Sequence, residues 1–151
     1  MILPELIPES KVWIYTANRE LSLSEQDAIN TELLPFVSEW AAHGQGLLGK
    51  SIILKNRFVI LAVDESNATA SGCSIDTSVR FVKELGTKLN IDFFDRLQLY
   101  IEKDNRFNRV ALSDLHQYGD WDVYNPMIST LKELRENWKI PVNSSPFVST
   151  S

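Results

Sequence analysis

Two apolar runs, Leu47–Leu54 and Phe58–Val63, are separated by only three residues, Lys55, Asn56 and Arg57. A connection that short admits an antiparallel hairpin, because parallel strands need a crossover of about a dozen residues. The chain is thereby committed to an antiparallel sheet near its middle. What flanks the hairpin decides how that sheet is covered. Before it, Lys11–Thr16 (KVWIYT) has the β-branched and aromatic composition of a strand. Ser22 and Glu25 have the spacing of a capping box, ahead of Ile29, Leu33, Phe36, Val37 and Trp40 at helical period. A helix is predicted over 24–43, kinked or restarted at Pro35 and closed by Gly44.

After the hairpin comes a small-polar loop, Asp64–Gly72, and then a second helix with Ile75, Val79, Val82, Leu85 and Leu89 on one face. A strand is predicted over 96–101 and a shorter one over Val110–Leu112, with Asp104 and Asn105 turning between them. The last helix has Asn125 as its N-cap and Pro126 at its first position, a stripe of Met127, Leu131, Leu134 and Trp138, and a stop at Pro141. Residues 142–151 read as a frayed tail. The order β-α-β-β-α-β followed by one more strand and helix predicts an α+β protein: a ferredoxin-like two-layer sandwich, one domain over 1–141.

Composition narrows the function. At 151 residues the chain is long enough to bury a core without covalent staples. One Cys excludes a disulfide framework and a Cys-based zinc site within one chain, and neither His has a metal-ligand spacing, so no cofactor or metal is expected. A net charge of −5 argues against a general grip on nucleic acid. No stretch reads as a membrane span or a secretory signal, so the expected location is cytoplasmic.

Gly44–Ser51 (GQGLLGKS) satisfies the P-loop pattern G-x-x-x-x-G-K-[ST]. That motif works where a strand delivers the loop to a helix N-terminus, whose amides hold the phosphates. Here a helix leads in and a strand leads out, which puts Lys50 and Ser51 on strand residues. Phe58–Asp64 has Walker B letters but is antiparallel to the strand before it. Nucleotide hydrolysis is therefore not expected.

The segments VWIYTANR (12–19), WAAHG (40–44), RFVILAVDE (57–65) and ASGCSID (70–76) resemble a family of small, uncharacterised bacterial proteins whose members are labelled "ABC transporter ATPase". The resemblance covers roughly residues 11–115. An ABC ATPase domain is much longer and carries an LSGGQ-type signature that this chain lacks. The resemblance thus implies a cytosolic bacterial protein and supplies no activity.

Chemistry is best sought in the 64–76 segment, since loops on rigid scaffolds carry function. Cys73 falls at a predicted helix start, where outward amides stabilise a thiolate. The predicted topology brings His43, at the end of the first helix, to the same sheet edge, with Asp64 and Asp76 nearby. Cys73, His43 and Asp64 are the parts of an activated thiol. The same edge offers an anion site built from Ser71, Gly72, Ser74, Asp76 and Lys50. Against this, a lone Cys is among the most buried residue types, and a His before a Gly suits a helix C-terminus.

Asn18-Arg19, Asn56-Arg57 and Asn105-Arg106 each follow a strand; a turn Asn with a surface Arg explains them, and the topology puts the first two at one edge and the third at the other. In the 116–124 loop, Tyr118, Trp121 and Tyr124 suit either a pocket or packing of the last helix. The residues together predict a non-catalytic binding or interaction module, taking a small molecule or a protein and able to form a homo-oligomer through its sheet edges. The alternative is a thiol-dependent enzyme or sensor built on Cys73 and His43.

Overall fold

A computed structural model describes residues 1–42, 48–65 and 72–148, without the side chains of 40–42 and 72–74. The elements are β1 (Lys11–Thr16), α1 (Leu23–Ala42), β2 (Leu48–Leu54), β3 (Phe58–Asp64), α2 (Gly72–Leu89), β4 (Gln98–Lys103), β5 (Arg106–Ala111), β6 (Asp122–Tyr124), α3 (Leu131–Glu136) and β7 (Lys139–Pro141). The capping box forms at the start of α1: the Glu25 N–H donates to Ser22 Oγ (3.1 Å) and the Ser22 N–H to Glu25 Oε1 (2.9 Å). The helix continues through Pro35 as one element. Burial of Ile29, Leu33 and Val37 on both sides of that proline holds it in place.

The strands form two antiparallel sheets, ordered β1-β3-β2 and β5-β4-β6-β7. The first three strands pair as a ferredoxin-like sheet would have them, but the fourth does not join them. β4 turns straight into β5 through Asp104 and Asn105, both left-handed (φ 52° and 64°), with Lys103 opposite Arg106. Its other edge takes β6, Ile101 opposite Val123. The edge of β1 that a fourth strand fills in a ferredoxin-like sheet is met instead by the chain ahead of α3: the Val12 N–H donates to the Ser129 C=O (3.0 Å), and Lys11 bridges Thr130.

β3 lies at the centre of the molecule. Every residue from Phe58 to Val63 is at most 2% exposed, so both faces of the strand are covered. Val59, Leu61 and Val63 pack with Ile29, Leu33 and Val37 of α1 and Val82 and Leu85 of α2. Phe58, Ile60 and Ala62 pack with Tyr100, Tyr124, Leu131, Leu134 and Trp138. A third cluster, Leu99, Ile101, Val110, Leu115, Val123 and Val142, lies on the far face of the second sheet. The first sheet is therefore sandwiched between helices and a second sheet.

Two sequence expectations are corrected in the second half. The last helix begins at Leu131, capped by Thr130, whose Oγ1 accepts from the Glu133 N–H (3.2 Å). Asn125 does not cap it, because the chain that follows runs beside β1, with Lys11 bridging Thr130, before the helix starts. The Asn125 N–H donates to the Trp138 C=O (2.8 Å) and extends the β6–β7 pairing. Its Oδ1 accepts from the Met127 N–H (2.9 Å) in a local turn, and Met127 is exposed rather than part of the core. Nor does the chain fray from Val142. The Val142 N–H donates to the Trp121 C=O (2.9 Å), Val142 is fully buried, and Phe147 and Val148 pack onto the third cluster.

Candidate functional site

The edge singled out from sequence is described in part. The register sets Leu48 opposite Asp64 and Lys50 opposite Ala62. The segment joining α1 to β2 and the one joining β3 to α2 therefore meet the sheet at one end. His43 and Ser71 lie outside the described residues, as do the side chains of Cys73 and Ser74; Gly72 opens α2. Alternation separates the remaining candidates. Lys50 and Asp64 fall on the face that carries Ile52, Ile60 and Ala62, toward the second sheet. Asp76 is exposed just past the first turn of α2, on the helix layer. Gly49, Lys50 and Ser51 lie within strand β2, antiparallel to β3, so the helix amides of a P-loop are not behind them.

At the other end of α2 lies an open cleft of about 480 Å³, lined by Asn18, Lys83, Thr87, Asn90, Asp92 and Phe94 among others. Sequence reading missed it; the signal was the helix stop at Asn90. The Ile91 N–H donates to the Gly86 C=O (2.8 Å) with Asn90 left-handed (φ 56°), a Schellman termination. A Cβ on Gly86 would lie 2.4 Å from the Ile91 oxygen, so glycine is required there. Asn18 Oδ1 accepts from the Asp92 N–H (3.0 Å), and Asp92 Oδ1 accepts from the Phe94 N–H (2.8 Å). Those polar atoms hold the loop in place.

The arginines are engaged in the same way. Arg19 grips Glu25 with both nitrogens (2.8 and 2.6 Å), and that contact, helped by the Ser22 N–H, holds the Glu25 carboxyl down at about 2. Arg57 lies 4.1 Å from the Phe107 ring centre, and its guanidinium reaches Glu20 at 3.5 Å. Asn18 and Asn56 do share an edge: the Ala17 N–H donates to the Arg57 C=O (2.8 Å) and the Leu21 N–H to the Asn56 C=O (2.7 Å). Phe107, two residues past Asn105, comes to this same hairpin because β5 belongs to a different sheet from the one predicted. The aromatic loop serves packing: Tyr118 and Trp121 meet edge-on at 5.9 Å against the third cluster, and Tyr124 is buried in the second. The Tyr124 hydroxyl donates to Glu102 Oε1 (2.6 Å), and burial together with that carboxylate pushes the phenol's pKa up. Among the described residues no His, Cys, Asp and Glu group could hold a metal, and no helix is long and apolar enough to cross a membrane.

The sheet edges differ more sharply than the clusters. β1 is covered by Ser129 and Thr130. β5 presents Arg106 and Arg109, the latter paired with Asp95 at 3.1 Å. β7 has three residues, among them Lys139 and Pro141. Charge, proline and brevity are the usual guards against strand pairing. β2 is seven residues long (LGKSIIL), with one charge and no second strand beside it among the described residues. The Arg57 carbonyl points to β1, so alternation turns Phe58, Ile60 and Ala62 toward β2, and their partners Leu54, Ile52 and Lys50 toward β3. Gly49, Ser51 and Ile53 then direct their backbone groups outward.

No protein family, curated protein or solved structure matches this chain.

Proposed function

We propose that this protein is a non-catalytic interaction module that takes up an extended segment along β2. The carrying observation is the contrast between that edge and the other three: seven residues, half-buried apolar side chains at Ile52, Ile53 and Leu54, and outward backbone groups at Gly49, Ser51 and Ile53. Strand addition gives affinity through main-chain hydrogen bonds, and the side chains of the receiving strand give selectivity. Amide hydrogen exchange on the dilute chain tests it. The N–H groups of Gly49, Ser51 and Ile53 should exchange far faster than those of Lys50, Ile52 and Leu54. Equal protection of both sets would mean the edge is already covered, and would overturn the reading.

A second reading is favoured by the register that brings the segments bearing His43 and Cys73 to one sheet end. It is a thiol-dependent enzyme or sensor, or a small-anion site at 73–76. Iodoacetamide labelling of the native protein across pH tests it: a thiol that reacts with a depressed pKa supports it, and one that reacts only on unfolding defeats it.

A further inference from the structure

We infer that the segment taken up by β2 is an apolar strand from another protein carrying a carboxylate opposite Lys50. This rests on the strand-addition reading above. Lys50 is the one charged residue of β2, half-buried, and it has no ion-pair partner among the described residues. It shares its face with Ile52 and Leu54, while Ile53 stands on the other face beside Gly49 and Ser51. Lys55, exposed in the turn, adds a second positive charge at the end of the same edge. An incoming strand therefore meets apolar side chains on both faces, a gap at Gly49, and a cation two residues from the apolar pair. An acid placed directly across from Lys50 gives the favourable opposite-charge pair of a sheet, and a base gives the unfavourable one.

A second copy of the chain fits less well. Antiparallel self-pairing centred on Ser51 aligns all seven residues but sets Lys50 against Ile52 of the other copy. It also brings the two Lys50 ammonium groups diagonally together on one face, with no carboxylate between them. Two chains of net charge −5 must then approach each other as well.

The test uses the full chain and two labelled nine-residue peptides of alternating Val and Thr, one with a central Glu and one with a central Lys. In fluorescence anisotropy the Glu peptide should bind about threefold or more tighter than the Lys peptide, and Lys50→Glu should reverse that order. Ser51→Pro should abolish binding of both, because it removes an outward N–H while leaving the β3 ladder intact. If that variant fails to fold, protection of the Gly49, Ser51 and Ile53 amides by the Glu peptide locates the site in the unaltered protein. Equal affinities for the two peptides would overturn the charge inference and leave the strand-addition reading standing. So would sedimentation showing a dimer, with neither peptide bound, that Ser51→Pro dissociates. A monomer that binds neither peptide would overturn both.

Discussion

The chain turns twice on almost the same letters, KNRF at 55–58 and DNRF at 104–107, and the two turns do opposite things. In both, the first two residues are left-handed: Lys55 and Asn56 at φ 56° and 57°, Asp104 and Asn105 at 52° and 64°. The second hairpin resumes pairing at once, Lys103 opposite Arg106. The first resumes one residue later, Leu54 opposite Phe58, and leaves Arg57 in the turn. A one-residue shift moves every following side chain to the other face. Phe58 is thereby buried at the centre, whereas Phe107 stays at the margin of the second sheet, and the spare Arg57 lies over that very ring. The turn residues set the turn. The runs behind them, FVILAV buried on both faces and FNRVA alternating, set the register.

The largest effect that separates the two turns should come from their phenylalanines. Phe58 is 2% exposed and meets Tyr100, Tyr124 and Trp138 with ring centres at 5.5, 5.3 and 4.8 Å. Phe58→Ala should cost about 3–5 kcal/mol in urea unfolding. Phe107→Ala, at a half-buried ring, should cost about half as much or less. Comparable losses would mean that Phe107 is as central as Phe58 and the contrast is false.

Next come the arginines. Arg57→Ala removes a guanidinium stacked on an aromatic ring and a contact to Glu20, and should cost about 1–2 kcal/mol. Arg106→Ala, at an exposed position on the edge of β5, should stay within about 0.5 kcal/mol. Combining Arg57→Ala with Phe107→Ala should cost less than the sum of the two, since the side chains interact directly. Strict additivity in that cycle would show that the two turns do not communicate.

These contrasts also mark how much was legible beforehand. β1, the capped α1, the β2–β3 hairpin and α2 were readable because their signals are local: alternation, a 3.6-residue stripe, a cap. The three-residue strands β6 and β7 carry no period and are set by long-range pairing, Val123 lying opposite Ile101 on one side and Ile140 on the other. The start signal at Asn125 and Pro126 fails because the chain after it runs beside β1. The unbroken run of Phe58–Val63 was itself a sign that both faces of the sheet are covered, which a two-layer ferredoxin-like sandwich does not provide. Of the candidate residues, the hairpin alone places Lys50 and Asp64 at one end of the sheet, Lys50 opposite Ala62 and Asp64 opposite Leu48. The division of the candidates between two faces needed the packing partners. That β2 has no second strand beside it among the described residues needed the pairing of every other strand.

Acid should loosen the two hairpins unequally. Asn56 is tied to the start of α1 through the Leu21 N–H and through Gln26 Nε2 (3.0 Å), and that start is held by Glu25. Glu25 has its folded pKa lowered from 4.5 to about 2, first by Arg19 and then by the Ser22 N–H. Its contribution is therefore present above pH 4.5 and lost as pH falls toward 2. Both partners are partly exposed, so the loss amounts to about 1 kcal/mol or less. Amide exchange near Asn56 should rise over that window more than near Asn105, and Glu25→Gln should remove the difference. An equal rise at both turns would detach the first hairpin from the α1 cap.

The smallest effect is one of sign. A left-handed second turn position favours glycine, so Asn105→Gly should raise stability by a few tenths of a kcal/mol. Asn56 has the same φ, 57°, but its Oδ1 accepts from Gln26 Nε2, which a glycine cannot replace. Asn56→Gly should therefore lower stability, by about 0.5–1 kcal/mol. Thermal unfolding of the two variants side by side checks this. Shifts of the same sign would mean that φ alone governs both turns. Opposite signs would locate the difference in the Gln26 contact, which ties only the first turn to a helix.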